Sequence, residues 1–346
     1  MTQGLVASGT NSFIGFAPQV GADLAAQWIH AYVTSAKFLP ILNFSGGLEQ
    51  ETGRRNDLTN AATARGWWKG PKKAKFATSH LLDYAGHEQL LKRAFGASAS
   101  ALNGGSTGAY VHTFTLASTK IAASVECCLD STLTYSSLRY PSNIITAVEF
   151  EFNLFDPIKV TYEWLGIGQD AIAAPATPTF PADDLVVPTN IADSTGAFIK
   201  VSTVAYKIIK GKVRVEDPMN ESGHYIGPVL SMCPPGRVEQ RKVTGEITFE
   251  FDQTDAVTLY ELYRSLAEAT LEVKYPGALI DTGQYRYLDL NVWRIVPTGK
   301  TPEVGGPSIV ECTIPFEGFY DVANARDAVG LTLQNTTVHT SGSPIL

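Results

Sequence analysis

Long apolar runs are missing from this 346-residue chain, and nothing in it approaches the roughly 20 residues that a membrane-spanning helix needs. The first residues, Met1-Thr2-Gln3-Gly4-Leu5-Val6, carry neither a basic segment nor a continuous apolar one, so no signal peptide is predicted and a soluble protein is expected. Cysteine is scarce. Cys127, Cys128, Cys233 and Cys312 are the only four, two adjacent and none in a Cys-x-x-Cys pair, which excludes a disulfide framework and a zinc knuckle and leaves reduced thiols as the expectation. Charge is sparse as well, at 18% against the usual figure of about a quarter. The formal charge of −7 is spread without a run of one sign, which argues against a surface made to neutralise phosphates.

Constellations that carry chemistry are also wanting. His30, His80, His87, His112, His224 and His339 are scattered, and no pair has ligand spacing with a carboxylate. Asn103-Gly104-Gly105-Ser106-Thr107-Gly108 lacks the lysine of a phosphate loop and reads as a flexible loop. Asp183-Asp184 is an oxygen pair of the kind hard cations use, but two adjacent acids in a proline-rich stretch read more simply as solvated. Cys233 sits in a turn near Arg237 and Arg241, cations that lower a thiol pKa, yet no histidine follows at a useful distance. No nucleophile, acid–base pair or metal set converges, so the expectation is no enzyme, no cofactor and no metal.

Strand signals dominate what is present. Tyr110–Leu116, Ala123–Leu129, Leu133–Tyr140, Ile144–Phe155 and Ile158–Trp164 alternate apolar with polar residues in the first half. Ala197–Tyr206, Ile208–Glu216, Val243–Phe251, Leu271–Tyr275, Tyr287–Val296 and Ser308–Phe316 do so in the second. Two helices are predicted: Asp83–Phe95, capped by Asp83 and stopped by Gly96, and Asp255–Ala269, with Val257, Leu259, Leu262, Tyr263 and Leu266 as its buried stripe. Asp83, Leu90, Leu91 and Ala94 match Asp255, Leu262, Tyr263 and Leu266 about half a chain further on, each helix following a strand. That order, repeated around the proline-rich stretch from Ala173 to Pro188, predicts a tandem duplication. The organisation expected is an N-terminal arm (1–35), a first domain (36–170), a linker (171–188), a second domain (189–328) and a C-terminal arm (329–346).

Charge placement supplies the candidate functional residues. In Val148-Glu149-Phe150-Glu151-Phe152 and Glu246-Ile247-Thr248-Phe249-Glu250 the apolar residues share one strand face, and Glu149, Glu151, Glu246 and Glu250 share the other. Such a face meets solvent or lines an acidic channel. Trp67 and Trp68, beside Lys69, Lys72, Lys73 and Lys75, form the one basic-aromatic patch. It has the chemistry to stack bases, but the preferred reading is a pair of interface anchors.

Three stretches resemble the major tail tube proteins of long-tailed, siphovirus-type phages. They are Glu51–Gly96 with its Gly53-Arg54-Arg55-Asn56-Asp57 loop, strand and Gly-terminated helix; Ser142–Gly166, paired strands ending in aromatic–Leu–Gly; and Ile309–Tyr320 with Asp321, a final strand before an exit arm. The resemblance implies a mainly β fold, with tail-tube-type antiparallel β-sandwich domains each flanked by one α-helix and joined edge to edge into rings. Most of the family has one such domain per subunit and six subunits per ring. Two domains per chain, as in a duplicated subtype of very long-tailed thermophilic phages, imply trimeric rings with pseudo-sixfold symmetry. The implied partners are further copies of the chain, a tape-measure protein and phage DNA in the lumen without sequence-specific binding, and tail-tip and tail-terminator proteins, with no membrane. The alternative is a virion or cell-surface β-sandwich binding module, a tail-tip adhesin or carbohydrate binder, which would stay a discrete low-order oligomer.

Overall fold

A computed structural model describes residues 11–19, 24–28, 31–54, 67–104, 108–154, 156–181, 185–187, 198–202, 204–206, 208–222, 233–250, 255–298 and 311–337. The first half contains β1 (Phe13–Pro18), a one-turn helix α1 (Leu24–Gln27), β2 (Lys37–Pro40), β3 (Asn43–Arg54), β4 (Trp67–Leu81), α2 (Glu88–Phe95), β5 (Gly96–Leu102), β6 (Tyr110–Leu116), β7 (Ala123–Cys128), β8 (Ser137–Asn153) and β9 (Lys159–Gly166). The second contains β10 (Phe198–Val201), β11 (Val204–Ala205), β12 (Ile208–Glu216), β13 (Lys242–Glu250), α3 (Asp255–Ser265), β14 (Ala269–Asp281), β15 (Gln284–Pro297), β16 (Glu311–Gly318) and β17 (Val329–Asn335). Among the described residues every strand pairing is antiparallel, and the pairings link these strands into one continuous sheet.

Period-2 patterning decides the strands. β9, β12 and β14 alternate buried with exposed or half-buried residues, because successive side chains leave a strand on opposite faces. The sheet folds over so that these apolar faces meet in a main core drawn from both halves, from Phe150, Val160 and Trp164 to Val213, Leu290 and Phe316, with a small second cluster around Trp28, Ile144 and Leu165. Phe76 stacks on Tyr140 at 4.4 Å and on Trp164 at 5.8 Å between ring centroids. Two strands bend across the fold. β8 pairs with β7 through Ser137–Asn143 and with β9 through Asn143–Glu151; β15 pairs with β17 through Tyr287–Val292 and with β16 through Ile295–Pro297.

The pairings recur in order. β1–β2, β1–β7, β3–β4, β4–β9, β7–β8 and β8–β9 are matched by β10–β11, β10–β14, β12–β13, β13–β16, β14–β15 and β15–β16, with α2 after β4 and α3 after β13. The β5–β6 hairpin has no counterpart among the described residues. The two sets meet at two seams: β12 pairs with β8 over Lys210–Glu216, and β17 lies between β15 and β6.

Several sequence expectations change. α2 begins at Glu88, not Asp83, because Asp83 is held in a bridge to Leu185 while the Gly86 N–H donates to the Glu88 carboxylate at 2.8 Å. It ends at Gly96 as expected, in the left-handed region at φ 96° with its N–H on Lys92 O. α3 ends at Ser265, because Leu266 turns left-handed at φ 52° and swings out to solvent. Of its expected stripe Leu259 is buried, Leu262 and Tyr263 pack against the core, and Val257 is exposed; the side chain of Asp255, the expected cap, lies outside the described residues.

The strands expected over 133–140 and 144–155 are one strand, β8, which begins only at Ser137, residues 133–135 forming a bend instead, and which runs through Pro141. That proline falls where the β7–β8 register shifts, so no ladder bond is asked of it, and its carbonyl accepts from Ser124 Oγ at 2.5 Å. Gly53 and Arg54, expected in a loop, complete β3, and the rest of that loop lies outside the described residues. Parts of both expected arms are strands. β1 is buried against β7, and β17 fills a gap in the sheet, where Asn335 bonds Tyr84 O and Glu88, both at 2.6 Å. The proline-rich stretch is laid on the first half: Ala176 N–H donates to Glu126 at 2.9 Å, and buried Val186 bonds Leu82 and Ile158.

Candidate functional site

The outward side of the β9–β8–β12–β13–β16 sheet gathers the predicted acids. Cross-strand register places Lys159, Glu151, Lys212 and Glu246 in one row, and Thr161, Glu149, Arg214 and Thr244 in the next. Glu149, Glu151 and Glu246 therefore share a face; the backbone of Glu250 extends the same strand, but its side chain lies outside the described residues. The face is not uniformly acidic. Lys212 stands 4.0 Å from Glu149 and 3.9 Å from Glu246, Lys159 3.1 Å from Glu151, and Arg214 binds Glu163 through both terminal nitrogens at 2.6 and 2.9 Å. Burial raises the Glu149 pKa, against the pull of Lys212 and Arg214. Glu149, Glu151, Glu163, Glu216, Glu246, Glu311 and Glu317 outnumber Lys159, Lys210, Lys212, Arg214 and Lys242 there, so the face keeps a negative surplus.

Trp67 and Trp68 lie elsewhere. Beyond the end of β9, β3 and β4 continue as a two-stranded ribbon, Glu49–Arg54 against Trp67–Lys73. Both indoles sit at its far end, 63% and 57% exposed, so neither fills the core. Lys69 lies 6.0 Å from the Trp67 ring. At the base of the ribbon and just below it, Lys73 and Lys75 grip Glu221 of the second half at 2.8 and 2.7 Å, so these lysines serve a contact between halves.

The described histidines are structural. His80 and His87 pack edge to face at 5.6 Å. Burial lowers the pKa of His80 to about 4, and burial with the neighbouring His80 lowers that of His87 to about 3. His112 is 2.9 Å from Asn335 Oδ1 and 2.8 Å from Ser100 Oγ. His30, His224, His339 and Asp183-Asp184 lie outside the described residues, and among those described no three His, Cys, Asp or Glu side chains are placed to hold a metal. The four cysteines are free, with Cys127, Cys128 and Cys312 buried.

A charged cluster at the β8–β12 seam escaped the sequence reading. Asp217, 2% exposed, follows β12, and its N–H extends the ladder to Thr146 O at 2.7 Å. Its carboxylate accepts from Lys120 Nζ at 3.0 Å, from Arg241 Nη2 at 3.1 Å and from Arg237 Nε and Nη2, the last at 2.7 Å. Lys120, 4% exposed, also donates to Ile145 O at 3.1 Å, and Arg241 donates to Ala117 O at 2.7 Å. Burial disfavours the Asp217 carboxylate, but the Arg237 hydrogen bond and the charges of Lys120 and Arg241 outweigh it and hold its pKa well below the carboxylate range. Burial, with two arginines sharing the same carboxylate, lowers the Lys120 pKa to about 8. Lys120 belongs to the first half and the other three to the second, so no local pattern could have joined them.

The chain is thus an antiparallel β protein with two like-paired strand sets seamed edge to edge and a broad polar sheet face. The chain belongs to the phage tail tube protein family, whose model matches residues 10–318, which makes it a component of the virion tail. No curated protein matches the chain significantly. No helix among the described residues is long and apolar enough to cross a membrane.

Proposed function

We propose that this protein is a tandem-duplicated tail tube subunit of the siphovirus type, three copies of which close a pseudo-sixfold ring. Rings stack into the hollow tube that conducts DNA during ejection, and the subunit acts as a structural element and not as a catalyst. The observation that carries this reading is the recurrence of six strand pairings in order, with the two sets already joined strand to strand at the β8–β12 seam. A chain that joins two like units edge to edge has the geometry to join a third, since an unpaired strand edge is a template for another strand. Among the described residues β3 pairs only with β4, and β5 only with β6, which leaves edges for the next copy.

In this arrangement the β9–β8–β12–β13–β16 face lines the lumen, and its surplus of carboxylates, Glu149, Glu151 and Glu246 among them and Glu250 a further candidate at the end of β13, keeps phosphates from adhering. The tape-measure protein and then DNA occupy that lumen, tail-tip and tail-terminator proteins close the ends, and Trp67 and Trp68 anchor contacts between subunits.

Negative-stain microscopy of concentrated protein tests the reading. Hollow tubes whose end views show six lobes from three chains support it; discrete particles under every condition would favour a binding module. In the phage, Glu246→Lys with Glu250→Lys leaves the monomer folded and impairs DNA release, and normal infectivity of that double variant would remove the lumen assignment.

A further inference from the structure

The two strand sets are alike enough that β8 has two possible partners: β12, which it holds, and β3 of another copy. Matching Gly166, opposite Ala74, with Gly318, opposite Val243, and following the ladders outward sets Ser45 in the place of Lys212 and Gln50 in the place of Asp217. β3 therefore offers the β8 edge a strand of the same direction and register.

We propose that the buried Lys120–Asp217 pair sorts these strands, so that the β8 edge accepts only a strand bringing a carboxylate to Lys120, and units of the two kinds alternate around the ring. This inference rests on the ring reading above. Lys120 is buried among carbonyls of Ala94 and Ile145 and belongs to the unit that owns β8, so it waits at the seam whichever strand arrives. β12 answers it with Asp217, which comes with Arg237 and Arg241 to satisfy its remaining oxygen lone pairs. β3 answers it with Gln50, whose amide bonds within its own ribbon, to Gly70 O at 3.4 Å. A buried ammonium left without a carboxylate is strongly unfavourable, whereas the completed pair is tolerated, and this asymmetry is how a buried charge selects one partner over a near-identical one.

Without that selection, β3 of a second copy would join first unit to first unit, and rings would close with the wrong order or fail to close. At the seam between copies that the ring requires, the positions equivalent to Lys120 and Asp217 are uncharged: Leu266 corresponds to Lys120 through the β7–β8 and β14–β15 registers, and Gln50 to Asp217. The charged lock is thus confined to the seam within the chain.

The test uses the full chain with Ser45→Cys and Glu151→Cys. In the native seam residue 151 faces Lys212, so these cysteines meet only where β3 of one copy sits on β8 of another. Under mild oxidation the dimer of interest is the one that disappears when either introduced cysteine is reverted. With Lys120 intact little of it should form. Lys120→Met, which removes the demand for a carboxylate, and Gln50→Asp, which lets β3 meet it, should each raise that dimer about tenfold or more. Gln50→Asp lies on an exposed strand and keeps the test valid even if Lys120→Met folds poorly. Unchanged crosslinking in both folded variants would overturn the sorting role. Microscopy of the parent chain reads the ring separately: rings without a crosslinking response refute the lock, and a crosslinking response without rings refutes the ring.

Discussion

Asp217→Asn removes one negative charge and almost no volume, so its effect measures what the carboxylate does at the seam. In the native protein three cations converge on that side chain, which is 2% exposed. The asparagine variant buries Lys120 beside two arginines with no counter-charge, a change that costs about 3–5 kcal/mol when one member of a buried pair is lost. For a chain of this size the melting temperature should fall by roughly 4–7 °C. Lys120→Met is the informative contrast. It leaves Asp217 paired with Arg237 and Arg241 and relieves a crowded cation, so its cost should be less than half as large. The pH dependence supplies the sign. The folded pKa of Asp217 is depressed, so its contribution is fully present above the unfolded value of about 3.9 and is lost as pH falls through the folded one. The gap between native protein and Asp217→Asn should be full at pH 7 and about 1 kcal/mol smaller by pH 3. Urea unfolding at the two pH values measures both. A gap below about 1 kcal/mol at pH 7, or one that does not shrink in acid, would refute the claim that an ionised Asp217 holds the seam.

Gly245 lies opposite Phe316, and a Cβ there would stand 2.3 Å from the ring and 2.4 Å from Lys212 O; Gly245→Val should cost about 1–3 kcal/mol by overpacking, while Gly236→Ala, with nothing within 4 Å, stays within about 0.5 kcal/mol, both read from urea midpoints. His80 and His87 titrate at about 4 and 3 in the fold against 6.5 unfolded, so between pH 6.5 and 4 the unfolded chain binds more protons and stability falls. Thermal melts should show that decline, and His80→Gln should flatten it; a flat native profile would contradict the buried neutral assignment. Trp67→Ala with Trp68→Ala should leave the melting temperature within about 2 °C, since both rings are mostly in solvent, and should raise the protein concentration needed for assembly by sedimentation; unchanged assembly would remove their role as anchors.

The sequence alone determined what short-range periodicity can specify. Tyr110–Leu116 and Ile208–Glu216 have the bounds that alternation predicted, Gly96 stops α2 because only the left-handed region serves there, and one-faced acids such as Glu149 and Glu151 fall where a half-buried strand must put them. Ribbons and edge strands with little alternation, such as β3 and β5, were illegible, because their residues are set by pairing partners and not by a core. Asp83 shows the same limit at a helix end: a competing bridge to Leu185, about a hundred residues away, took the residue that local rules assign to a cap.

Only the tertiary structure decided which edges meet. That β12 lies on β8, that β17 returns to separate β15 from β6, and that Lys120 finds Asp217 are contacts between distant segments. Each segment alone would suit several partners. Hydrophobic alternation says which face of a strand is buried but not which neighbour its backbone will bond, and that choice falls to the packing of the whole chain, the buried Lys120–Asp217 contact included.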